Sequence, residues 1–207
     1  MALDSATVPY ELRFDAGRIC LDLLSTSHPE ERLDALAPLC AWITGSGLVP
    51  PGTSLAHADP SWPDAFRELR GSIEKLVRAC LDAAERRPGE PVQPGAAAAT
   101  ALARVNALAR PAPPAPRAVR AEDGALVRAL AGPPECAALV AAVARDAVEL
   151  LTDPVARSGL CRCAGDNCPI VYLDTSRGRR RRWCSSEVCG NRERVARHRR
   201  RAALARP

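Results

Sequence analysis

Cys163-Ala164-Gly165-Asp166-Asn167-Cys168 and Cys184-Ser185-Ser186-Glu187-Val188-Cys189 repeat one spacing, Cys-x4-Cys, with fifteen residues between the pairs. A structural zinc site closes four positions of a tetrahedron with protein ligands, the sulfurs at about 2.3 Å. Each short loop supplies two ligands, and the stretch between brings the pairs together. Within that stretch Pro169 to Leu173 reads as a strand, Asp174 to Gly178 as a turn, and Arg181 to Cys184 as the returning strand. Ser185 or Ser186 then caps a helix whose first turn carries Glu187 and Cys189. Knuckle, hairpin and a helix delivering the last ligand make a treble-clef-like finger. The rival reading, four small buried apolar residues, fits poorly with paired cysteines in a polar, arginine-rich segment. Cys161 stands two residues before Cys163 and is its competitor as ligand.

Charge sets the finger apart. Residues 161–207 carry 13 arginines and four acids, a net +9, whereas residues 1–160 are net −4. Lys75 is the only lysine, so arginine content is partly a matter of genome composition and its distribution is what informs. A basic tail on a mildly acidic body points to a polyanionic partner. Arg192, Arg194, Arg197, Arg199, Arg200 and Arg201 leave the last helix almost without an acidic face, and Arg179, Arg180, Arg181 and Arg182 add a cluster beside it. Like charges at i,i+4 repel, and phosphates relieve that repulsion. Balancing the four thiolates would need only one or two of these arginines. Arg194, Arg197 and Arg201 share a helix face and are candidates to reach bases, while Asn191 and Arg192 suit a role bracing the knuckle. Tyr172 and Trp183 offer little for stacking unpaired bases, and both suit the small core of the finger.

The body, residues 1–158, reads as α+β: two β-hairpins packed with about four helices, followed by the small finger over 159–207. Tyr10 to Phe14 and Arg18 to Leu24 are strand-like runs separated by Asp15-Ala16-Gly17. A helix starting at Ser27 would turn Leu33, Leu36, Leu39, Cys40 and Ile43 inward and stop near Gly45 to Gly47. The clearest helix is capped by Ser61, with Phe66, Leu69, Ile73, Leu76, Cys80 and Ala84 at threes and fours, and stops before Pro88-Gly89. A third spans Gly95 to Ala109. Pro111 to Pro116 connects it to a second hairpin over Ala118 to Leu130, turning at Asp123-Gly124, and a long helix covers Pro134 to Val155.

Nine cysteines, an odd number, argue against a disulfide framework and for a reducing, cytoplasmic setting. Cys20, Cys40, Cys80 and Cys136 fall on apolar faces as core residues. No apolar run approaches the ~20 residues of a membrane crossing. The start, Met1-Ala2-Leu3-Asp4-Ser5, lacks the character of a signal peptide. His28, His57 and His198 stand far apart, and no nucleophile, phosphate-loop or dinucleotide motif is present, so an enzyme is not expected.

Cys189-Gly190-Asn191-Arg192 resembles the signature of the CGNR zinc-finger family, as do Asp174-Thr175-Ser176 and Arg182-Trp183-Cys184-Ser185. Upstream, Gly17 to Thr26 is similar to the "LDxxNT" segment that opens the family's ABATE domain, with Ser25 in place of the usual Asn. The resemblance implies a stress-linked transcription regulator. The expectation is therefore one structural Zn2+ on Cys163, Cys168, Cys184 and Cys189, with double-stranded DNA as partner. The body would sense a small-molecule effector in a pocket lined from the first hairpin and the Ser61 helix, or form a homodimer. The alternative is an adaptor whose finger grips a protein of the transcription machinery, or RNA.

Overall fold

The computed structural model describes residues 12–86 and 95–204. Among them seven helices and two small antiparallel hairpins form. The helices are α1 (Ile19–Ser25), α2 (Leu36–Gly45), α3 (Trp62–Glu85), α4 (Ala96–Leu108), α5 (Cys136–Thr152), α6 (Pro154–Arg157) and α7 (Cys189–Leu204). One hairpin joins β1 (Pro116–Arg120) to β2 (Leu126–Leu130); the other joins β3 (Leu160–Arg162) to β4 (Val171–Leu173). Tyr10, at the head of the first strand-like run, and the Pro88-Gly89 stop lie outside the described residues.

The stretch Arg18 to Leu24 is a helix, not the second strand of a hairpin. Cys20, Leu21, Leu23 and Leu24 are all buried because α1 runs through the middle of the body against α3, α5 and β4. A short helix that is buried nearly all round shows no clear amphipathic stripe, so its period cannot be told from a buried strand. Its start is completed from a distance: the Cys20 N–H donates to Asp146 Oδ2 at 3.0 Å, and Arg18 Nε pairs with Asp146 Oδ1 at 2.8 Å.

The helix expected from Ser27 begins only at Leu36. Ser27 instead closes the end of α1, its hydroxyl donating to Leu24 O at 3.0 Å, and residues 26–35 form a loop. Glu31 holds that loop: its carboxylate takes both Nη groups of the buried Arg70 on α3 and the Leu33 N–H. Arg70 also donates to the buried Thr26 hydroxyl at 2.8 Å. Side-chain capture by Arg70 thus overrides the local helix-start signal.

The remaining body follows the sequence pattern, except that the long helix stops at Thr152, because Pro154 cannot continue it and instead opens the separate α6 under an Asp153 cap. Helix α3 turns Phe66, Leu69, Ile73, Leu76 and Val77 into the core, where Trp42 meets Phe66 edge-on at 5.8 Å. Helix α5 buries Leu139, Val143, Ala147 and Leu150, and α3, α4 and α5 pack on one another. The Pro111–Pro116 connector is fastened by Arg145 of α5, which donates to Ala109 O and Pro111 O. The β1–β2 hairpin turns at a left-handed Gly124, as expected from Asp123-Gly124. No described helix is long and apolar enough to cross a membrane.

Candidate metal centre and basic helix

In the finger, strand β4 pairs with β3, not with Arg181 to Cys184 as its pattern suggested. The Cys163–Cys168 loop reverses the chain, so the segments that flank it are the ones brought side by side. The returning segment contributes single contacts instead: the Ala164 N–H donates to Arg182 O at 2.8 Å, and the Tyr172 hydroxyl to Arg181 O at 2.6 Å. Asp174 folds the intervening turn by accepting from the Ser176 and Arg181 N–H groups at 2.9 and 3.0 Å. Ser185 does not cap the last helix itself but folds the turn before it. Its hydroxyl accepts from the N–H groups of Glu187 and Val188, both at 3.2 Å, and Cys189 follows as the first residue of α7.

The four sulfurs of Cys163, Cys168, Cys184 and Cys189 lie within 4.8 Å of one another. Cys184 Sγ is 3.6 Å from the sulfurs of both Cys168 and Cys189. A tetrahedron with sulfur at about 2.3 Å from its centre has edges of about 3.8 Å, so the cluster fits one Zn2+. Cys161 stands outside the cluster. It occupies β3 opposite Tyr172, which leaves Cys163 as the ligand.

Hydrogen bonds aimed at sulfur support the same reading. Cys163 Sγ accepts from the N–H groups of Gly165 and Cys184 at 3.4 and 3.3 Å. Arg13, which no sequence pattern singles out, sends both Nη1 and Nη2 to Cys184 Sγ at 3.4 Å and binds Asp15 beside it. Such donors lower the charge of a thiolate set that would be net −2 around zinc. Without a cation, burial and the neighbouring Cys184 push the Cys189 thiol up to about 11. The hydrogen bond from Cys168, then burial, push Cys184 further in the same direction. Metal binding must therefore expel protons, and acid competes with it. Gly165 closes over the cluster: a Cβ there would stand 3.3 Å from Cys189 Cβ and 3.4 Å from its sulfur.

The expected nucleic-acid arginines fall into two groups. Arg181 is used inside the protein: its guanidinium donates to the carbonyls of Trp183, Cys184 and Asp15 and stacks 4.5 Å over Tyr172. Arg179 binds Ser158 and Val155 O, Arg182 stacks on Trp183, Arg194 reaches Ser186 O, and Arg200 pairs with Glu193. Arg180, Arg192, Arg197, Arg199 and Arg201 are exposed.

The finger is also bonded to the body. The Leu173 N–H donates to Ala16 O at 2.8 Å, and Arg162 pairs with Asp82 of α3 at 2.6 Å. Gly17, at φ +90°, lies so close that a Cβ would meet Leu173 O at 3.2 Å. Between the two parts lies a cavity of about 810 Å³. Leu12 to Asp15 with Ser25, Thr26, His28, Pro29 and Arg32 of the body line one side, and Cys168, Ile170, Ser185, Cys189 and Arg192 line the other. The Ser61 helix contributes nothing to it. That helix borders a smaller cavity of about 260 Å³ through Glu74, Val77 and Arg78.

A knuckle, a helix that begins at a cysteine and four converging cysteines define a zinc finger, here attached to a mostly helical body. The finger, over residues 160–202, matches the CGNR zinc finger. Residues 17–154 match ABATE, described as "Putative stress-induced transcription regulator", and the chain belongs to that family. No curated protein matches the chain.

Proposed function

We propose that the chain is a zinc-dependent transcription regulator that binds double-stranded DNA through α7 and answers to a small molecule held between body and finger. The observation that carries the first part is the exposure of Arg192, Arg197, Arg199 and Arg201 on a helix whose first residue is a metal ligand. With Arg180 they are the guanidinium groups best placed for phosphate; Arg179, Arg181 and Arg182 build the surface that presents them. Bound zinc supplies folding energy to a segment with little core of its own.

The second part is supported by the cavity, which touches two of the zinc ligands, Cys168 and Cys189, as well as Arg13 and His28 of the body. A ligand filling it would bear on the finger directly. Assembly into a homodimer would present two such helices, and the β1–β2 hairpin leaves Leu126 and Val127 exposed for contact. The chemistry is recognition, not catalysis. The three histidines play separate parts, with His57 bonded to Pro134 O and His28 at the cavity wall.

A salt titration of the zinc-loaded full chain on duplex DNA tests this, with Cys184→Ser as control. Engagement of about four phosphates makes log affinity fall with log salt at a slope near −4, and the control loses binding. Equal binding by Cys184→Ser, or no binding at ~150 mM salt, would sink the reading in favour of a protein or RNA partner.

A further inference from the structure

On α7 the arginines are not spread evenly. At 3.6 residues per turn, Asn191, Val195 and His198 fall on one narrow ridge. Arg194, Arg197 and Arg201 run along one side of it, and Arg192 and Arg199 along the other. On the side opposite the ridge Cys189 is a zinc ligand, Glu193 and Ala196 are half-buried, and the exposed Arg200 is paired with Glu193. The ridge therefore lies away from the side by which the helix is held. Asn191, Val195 and His198 are all exposed, Val195 at 44%. Val195 thus places an exposed, β-branched apolar side chain between two rows of arginine.

We infer that Asn191, Val195 and His198 form the base-reading ridge of α7 in the major groove of duplex DNA, while the flanking arginines hold the phosphates of the two strands. The inference rests on the DNA-binding reading above and reassigns the reading task from arginine to the line between the arginines. The dimensions agree. A helix with its side chains is about 10–12 Å across, and the major groove is about 12 Å wide. Asn191 and His198 are about 10 Å apart along the axis, the rise of about three base pairs. The chemistry is selective. A carboxamide takes adenine N6 and N7 as a bidentate pair, and an apolar side chain meets the thymine methyl. His198 adds an N–H for a purine N7. The expected target is a short element containing A·T pairs, each ridge residue reading about one base pair.

The test selects binding sites from a random duplex pool with the zinc-loaded full chain. It compares the wild type with Asn191→Ala, Val195→Ala and His198→Ala, and with Arg197→Ala and Arg199→Ala. All five positions are exposed, and zinc content confirms that each variant is folded. Each ridge variant should lose preference at one base pair by about 5- to 150-fold at an unchanged salt slope. The arginine variants should bind every sequence more weakly, with the slope reduced by about one. A wild type that binds duplex DNA without sequence preference, or ridge variants that select the same element as the wild type, overturns the inference and leaves the DNA-binding reading standing. A wild type that binds no duplex DNA removes both.

Discussion

Arg70 is the buried charge on which the loop after α1 depends. Its side chain is 10% exposed, and it joins Thr26 to Glu31. Arg70→Ala leaves a buried hydroxyl and a carboxylate without their donor. It should cost about 2 kcal/mol in urea unfolding, below the fully buried case because the Glu31 side chain is 36% exposed. The hydrogen bond from Arg70 holds Glu31 down at about 2. A carboxylate held low stabilises the fold fully above its ordinary value near 4.5 and loses that contribution as the pH falls toward 2. The stability gap between the wild type and Glu31→Gln should therefore be smaller at pH 4 than at pH 6.5. Asp22 has the opposite sign. Burial raises it to about 6 in spite of the Ala16 N–H that it accepts at 2.9 Å, so the fold loses stability as the pH rises from the ordinary value of 3.8 to about 6, and the full penalty stands above that. Asp22→Asn keeps the acceptor and removes the charge. It should raise the Tm at pH 8 by the equivalent of about 1–2 kcal/mol, and by less at pH 5.5; a loss of stability at pH 8 would show that the ionised carboxylate is needed.

Among the elements, the contact between residues 13–17 and the finger is the most exacting. Gly17 uses a left-handed backbone conformation against Leu173, so Gly17→Ala adds both strain and a close contact. A loss of about 1–3 kcal/mol is expected in thermal unfolding, and a neutral result would mean that the two segments can separate freely. Arg13→Ala removes two donors from Cys184 and should weaken zinc about 10-fold or more in competition with a chromophoric chelator, while Arg13→Lys recovers part of the loss. Arg13 carries no signal in the sequence, since it and Cys184 meet only through the tertiary fold. What could be read were features encoded locally: the stripe of α3, the Asp123-Gly124 turn and the paired cysteine spacing. Elements decided by distant partners could not be read. Helix α1 owes its start to Asp146 and its all-round burial to three neighbours, the loop at Glu31 owes its shape to Arg70, and β4 takes its partner from the reversal at the knuckle.

For the whole molecule, body and finger share one continuous core, in which Leu160, Tyr172, Leu173, Cys184 and Cys189 cluster with Leu21, Leu24 and Leu76. Removing zinc with a chelator should therefore lower the melting temperature of the body's helices as well as the finger's, as a single shifted transition in far-UV circular dichroism. Two well-separated transitions, with the upper one unmoved, would show two independent units. The bonds from Ala16, Asp15 and Arg13 to Leu173, Arg181 and Cys184 also bear on synthesis. A chain leaves the ribosome from its N-terminus onward, and early segments ordinarily fold first. Here Arg13, Asp15 and Ala16 also take partners more than 150 positions downstream. Full burial of that segment thus waits for the finger to be synthesised and for metal to arrive, and a chain released into a zinc-starved cell would keep that segment open to proteases.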